Sequence, residues 1–180
     1  WALGWNHAAN VFGTAVSSYM VKHRTAVILA ALFVLAGALF GGGPGIRTLS
    51  GLTAQTGNTA FIISVAAAIT VTLMSFVKLP VSTSQAVVGA IMGIGIVNRQ
   101  IETGGLIKVF ICWITTPLGA AFVAVLLYLI MARILREKSL HFIAYDKLMR
   151  KLLILAGIYG AYSLGANNAA NVTGVFYQAG

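Results

Sequence analysis

The chain has 180 residues, of which 59% are hydrophobic and 8% charged, with mean hydropathy +0.92 and net charge +9. Soluble domains carry about 25% charged residues, so this composition excludes a water-facing surface and predicts an integral membrane protein. The basic excess does not point to nucleic acid, because Lys and Arg cluster at the ends of apolar runs, where they meet headgroups and set orientation.

The carboxylates are Glu102, Glu137 and Asp146, all in polar stretches between apolar runs. A lone Cys112 in an apolar run reads as a small buried hydrophobe, and no Cys or His stands at metal-ligand spacing. No metal or cofactor is expected. A start at Trp1 and an apolar stretch reaching Gly180 lead to the expectation of a piece of a longer protein.

Apolar runs fall at about 1–20, 25–40, 59–77, 81–97, 105–132 and 151–180. A spanning helix needs about 20 residues. The runs at 59–77 and 105–132 meet that length, and 25–40 is short unless Gly41, Gly42 and Gly43 dip into the interface. The run at 81–97 follows Pro80 and holds Gly89, Gly93 and Gly95, so it reads either as a span or as half of a re-entrant pair. With all six runs as spans, one side collects nine basic residues: Lys22, Arg24, Lys78, Arg133, Arg136, Lys138, Lys147, Arg150 and Lys151. The other side has Arg47, Arg99 and Lys108. The positive-inside rule then makes 133–150 a basic cytoplasmic loop and puts the N-terminus outside. The expected organisation is a first repeat half over 1–150 and the start of a second over 151–180, in a multi-pass plasma-membrane protein.

The most informative feature is a self-match. Residues 4–13 read GWNHAANVFG and residues 165–174 read GANNAANVTG, agreeing at seven of ten positions. Gly and Ala are common in membrane helices, but two aligned Asn pairs in apolar segments are not. Polar side chains at membrane depth are costly and mark function by default. Asn6 and Asn10 are four apart, as are Asn167 and Asn171, so each pair shares a helix face. Such a pair can hold an anion, satisfy a broken backbone, or serve as glue between helices. The copies lie in the first and the sixth run, five runs apart counted from the first, so the second enters from the opposite side. That is an inverted-topology repeat, which in secondary transporters places the binding site at the repeat interface.

A third motif, LPVSTSQAVVGAI, spans residues 79–91. Pro80 marks a segment boundary, and a helix starting at Pro80 or Val81 would aim hydroxyls and first-turn N–H groups at one spot. Such a spot, at the positive end of the helix dipole, suits an anion. Ordinary capping by Ser82 fits the same residues.

The two GxNxxAN motifs together with PVSTSQAVVGA resemble the inorganic phosphate transporter (PiT) family, which has a GANDVANA-like signature in each inverted half and a PVSTT-like motif after it. The similarity runs along essentially the whole chain, including LAGALFGGG at 35–43. It implies an all-α membrane bundle with inverted repeats and broken or re-entrant helices, ion-coupled oxyanion import, and a second PVST-like motif beyond Gly180. Carried over by position, the substrate-binding candidates are Asn6, Asn10, Ser82, Thr83, Ser84, Asn167, Asn168 and Asn171.

The chain departs from the family at one point: the signature Asp is His7 in the first copy and Asn168 in the second. Carboxylates there would suit a hard cation, so their loss weighs against sodium. A donor-rich site without carboxylates suits sulfate, which only accepts hydrogen bonds, over phosphate, which also donates. GANNAANVTG is also similar to the family's bacterial sulfate permease branch. The favoured reading is a proton-coupled sulfate permease, with His7 as the titratable coupling candidate. A neutral His7 bonded to a helix carbonyl is the plainer account. Sodium-coupled phosphate symport and a passive anion channel are the alternatives. An enzyme is not expected, because no acid lies in the motifs and His7, His23 and His141 are far apart. Oxyanion and lipid are the expected partners, without nucleic acid, and a homodimer is compatible with the sequence.

Overall fold

The computed structural model describes residues 2–138 and 141–177, except for the side chains of residues 2, 3, 5, 6, 8, 9, 137 and 138. Every regular element among the described residues is an α-helix. In chain order these are α1 (Ala2–Ser17), α2 (His23–Gly41), α3 (Gly43–Ser50), α4 (Gly57–Phe76), α5 (Thr83–Asn98), α6 (Thr103–Lys138) and α7 (Phe142–Thr173). Each of the six apolar runs carries one helix, as expected.

The apolar side chains face outward. Leu32, Phe61, Phe122 and Leu127 are all more than half exposed, and the most apolar stretch of α6 has no buried residue. In water such a surface would be an aggregation liability; against lipid it is the surface required. By length and composition α2, α4 and residues 103–136 of α6 can cross a bilayer. Helices α1 and α5, at 16 residues each, rise about 24 Å, less than the roughly 30 Å of a hydrocarbon core. Helix α7 is long enough, but Asp146, Lys147, Arg150 and Lys151 occupy its first turns and three asparagines lie near its end.

The structure differs from the sequence reading at two places. Residues 133–138 and 142–150 are helical rather than loop: α6 continues to Lys138 and α7 begins at Phe142. Arg, Lys, Glu and Leu are strong helix formers, so helix persists past the hydrophobic boundary, and Arg150 pairs with Asp146 one turn away at 3.6 Å. The second difference is α3. The glycines at 41–43 do not end helical structure, because Gly42 keeps helical dihedrals (φ −73°, ψ −24°) and Pro44 starts the next helix in its first turn. Proline is tolerated there because its missing N–H has no partner to lose.

Close approach of small residues sets the packing. Helices α2 and α7 run parallel, with Ala26 clustered with Leu153 and Ile154, and Gly37 and Gly42 set against Tyr162 and Ala169 further along. A Cβ on Gly37 would strike the Tyr162 carbonyl, and one on Gly165 the Val34 carbonyl. The two backbones therefore touch directly, as in small-residue crossings of membrane helices. Helix α3 continues the contact, with Gly45 against Ala170. Helix α1 runs opposite to α7: Phe12 packs on Gly157, while His7, nearer the start of α1, meets Thr83, which Asn171 also touches. Helices α4 and α5 form a hairpin whose buried residues Ile63, Ala67, Val87, Val88 and Ile91 share a core with Leu49, Leu52 and Val175.

Candidate functional site

Helix α5 begins at Thr83, later than the start at Pro80 or Val81 read from the sequence, and Ser82 is its cap. The Ser82 hydroxyl accepts from the Gln85 amide at 3.3 Å. The plainer reading of Ser82 is therefore realised. Thr83 and Ser84, on the turn that follows, join the asparagine motifs.

One chain of side-chain hydrogen bonds links α1, α5 and α7. The Asn10 amide nitrogen lies 3.3 Å from His7 Nδ1, and His7 Nε2 lies 3.2 Å from Thr83 Oγ1. From α7, Asn171 Nδ2 donates to Ser84 Oγ at 3.1 Å and Asn168 Oδ1 at 3.1 Å, and reaches Thr83 Oγ1 at 3.5 Å. With the Asn10 amide in this orientation, His7 Nδ1 is an acceptor and Nε2 carries the proton, which it gives to Thr83. Thr83 and Ser84 are thus both approached by donors. Their own hydroxyl protons remain available to an acceptor, and a tetrahedral oxyanion offers four.

Two cavities meet at this chain. The larger, about 650 Å³, is lined by Ser82, Ser84, Gln85, Asn167 and Asn171, and on its far side by residues 108–117 of α6. The smaller, about 260 Å³, lies against α4 and is mostly apolar, with Thr83 and Asn171 at its edge. Asn171 borders both. Among the described residues, no carboxylate joins the cluster or lines either cavity.

Of the candidate residues, His7, Asn10, Thr83, Ser84, Asn168 and Asn171 are brought together, and Asn167 lines the larger cavity from α7. Asn168 lines neither cavity. It is 6% exposed, holds Asn171 through its carbonyl, and leaves its own Nδ2 without a partner. The side chain of Asn6 lies outside the described residues. Sequence reasoning missed Lys108, Thr48 and Thr116 of the larger cavity's wall. A lysine inside a long apolar run was the available signal, and it was read only as a mark of orientation.

A cluster of uncharged polar side chains held between outward-apolar helices defines a membrane protein with a polar centre. The model of the phosphate transporter family matches residues 3–179, and the chain belongs to that family. The chain is 32% identical to the sulfate permease CysP of Bacillus subtilis over 99% of its own length and 51% of that protein's. It is 28% identical to a probable low-affinity inorganic phosphate transporter of the same organism, over 98% of this chain and 55% of the relative. With the mouse sodium-dependent phosphate transporter 1 it shares 32% identity, over 74% of this chain and 22% of the relative. The chain thus spans about half the length of the bacterial relatives. No solved structure matches.

Proposed function

We propose that this chain forms part of a secondary active transporter that imports a tetrahedral oxyanion, with sulfate favoured and protons as the coupling ion. The carrying observation is the Thr83–Ser84–Asn171 cluster, whose hydroxyl protons are free to donate and which, among the described residues, has no carboxylate beside it. The opposed directions of α1 and α7, each bearing one copy of the asparagine motif, support inverted repeats with the substrate between them. The family's relatives bear the names of sulfate and phosphate carriers, and the missing acids incline the choice to sulfate. His7 supplies the coupling group. A second proton on its ring needs an acceptor at Nδ1, which the Asn10 amide provides by turning over, so proton uptake and the cluster's bonding are linked.

Sodium-driven phosphate symport is the second reading, favoured by the name of the mouse relative. Competition decides between the two. Uptake of labelled sulfate by the full-length protein in proteoliposomes, driven by an inward proton gradient, should be inhibited by unlabelled sulfate at concentrations well below those at which phosphate inhibits. An equal or stronger effect of phosphate removes the sulfate reading. Failure to accumulate label against its gradient removes active transport in favour of a channel.

A further inference from the structure

The larger cavity extends beyond the hydrogen-bonded cluster. Along α6 it is lined from Lys108 to Pro117, a rise of about 13 Å, and at the other side it reaches Ser84 and Asn171. Among the described residues, Lys108 is its only charged wall residue. The first turn of α5, whose N–H groups carry the positive end of a helix dipole, opens onto the same space through Ser82, Ser84 and Gln85. A cavity with one cation and one helix N-terminus, and with no carboxylate among its described wall residues, is positive in potential and concentrates anions.

We propose that this cavity is an anion-gathering vestibule, in which Lys108 draws a hydrated oxyanion from solution toward Ser84 and Asn171. The role rests on the transport reading for what happens next, but the attraction of anions does not depend on it. Lys108 here is a site of first capture. It speeds arrival and raises apparent affinity without taking part in the passage beyond Asn171.

Cys112 is a built-in reporter. It is exposed, lines the same cavity, and lies one helical turn from Lys108, which sets the two about 6 Å apart. A unit charge at that distance in water changes the approach of a charged reagent about threefold in either direction, or roughly tenfold between reagents of opposite sign. Full-length protein carrying Cys112 as its sole cysteine, in proteoliposomes, is treated with anionic, cationic and neutral methanethiosulfonates of similar size. Relative to a free thiol, the anionic reagent should react about tenfold faster than the cationic one. Lys108→Gln should bring that ratio near one, and Lys108→Arg should keep it. Sulfate should slow labelling in the parent and lose this effect in Lys108→Gln, whose sulfate uptake should show a several-fold higher KM with kcat within about twofold.

The neutral reagent guards against misfolding, since a folded Lys108→Gln protein reacts with it at the parent's rate. If that variant misfolds, the parent's own ratio and the Lys108→Arg variant still decide. A parent ratio near one, or a ratio that Lys108→Gln leaves intact, overturns the proposal. A normal ratio with neither sulfate nor phosphate protecting Cys112 or being taken up leaves the vestibule standing and removes the transport reading instead.

Discussion

The two copies of the asparagine motif have nearly the same sequence and do different work. In the second copy, on α7, Gly165, Ala166, Ala169 and Ala170 are pressed against α2 and α3, and Asn168 and Asn171 are buried. In the first, on α1, nothing stands within 4 Å of a Cβ built at Gly4, Asn10 is exposed, and among the described side chains His7 reaches across to α5. One motif therefore serves two purposes at once, small residues for close packing and asparagines for the polar centre. The α7 copy uses both within this chain; in the α1 copy His7 joins the polar centre while Phe12 packs on Gly157.

The comparison is most severely tested at the glycines. Gly165→Val should abolish recovery of monodisperse full-length protein in detergent, because the new side chain meets the Val34 carbonyl rather than a side chain that can yield. The matching Gly4→Ala should move the thermal midpoint by less than about 2 °C, on the scale of surface substitutions. Equal damage at both positions would show that the first copy is packed as tightly as the second.

The asparagines give the next largest effect. Asn171→Ala removes the donor shared by Ser84, Asn168 and Thr83, and leaves buried acceptors unsatisfied at about 1–3 kcal/mol. Sulfate uptake should fall roughly tenfold to a hundredfold. Asn10→Ala should cost less than about threefold in initial rate at saturating proton gradient, since Asn10 touches the cluster only through His7.

A finer contrast concerns the position where the family's acid is missing. Asn168 stands behind Asn171 and off the cavity walls, so Asn168→Asp acts through its neighbour. A carboxylate there still accepts from Asn171 and adds a negative charge near the anion. Sulfate should then lose affinity more than phosphate, narrowing or reversing the order in a competition assay. An unchanged order would place selectivity in α5 or elsewhere in the full-length protein. The smallest effect is expected for sodium. With His7 and Asn168 in place of acids, exchanging sodium for choline should leave uptake within about 20% of its rate, on the premise that hard cations need carboxylate oxygen. Strict sodium dependence would show that carbonyl and amide oxygens suffice.

Much of the polar centre was legible because polarity inside apolar runs is conspicuous. The asparagine pairs and residues 82–84 announce themselves in any window. Their division of labour was not legible, since an asparagine that binds and one that braces its neighbour have the same letter. Asn168 and Asn171 are separated only by which face of α7 meets α5. The Gly and Ala matches, weak as sequence signals, turned out to set the α2–α7 crossing, because their meaning lies in partners more than 100 residues away. Helix α3 was hidden by its glycines, and Lys108 by a pattern that accounts for lysines through orientation alone.

The crossing of Gly37 and Gly165 has a mechanical consequence. Helices separated by a layer of side chains can shift as rotamers change, but two backbones in contact have no such layer, and interiors this dense give way in jumps or not at all. Helices α2 and α7 must therefore swing as one rigid strut. The α4–α5 hairpin joins that strut through the core it shares with Ala170 of α7 and Leu49 of α3, and through the hydrogen bonds of Asn171 to Thr83 and Ser84. Separating the hairpin from the strut therefore costs apolar packing and hydrogen bonds together, and the asparagine sits at the polar edge of that joint.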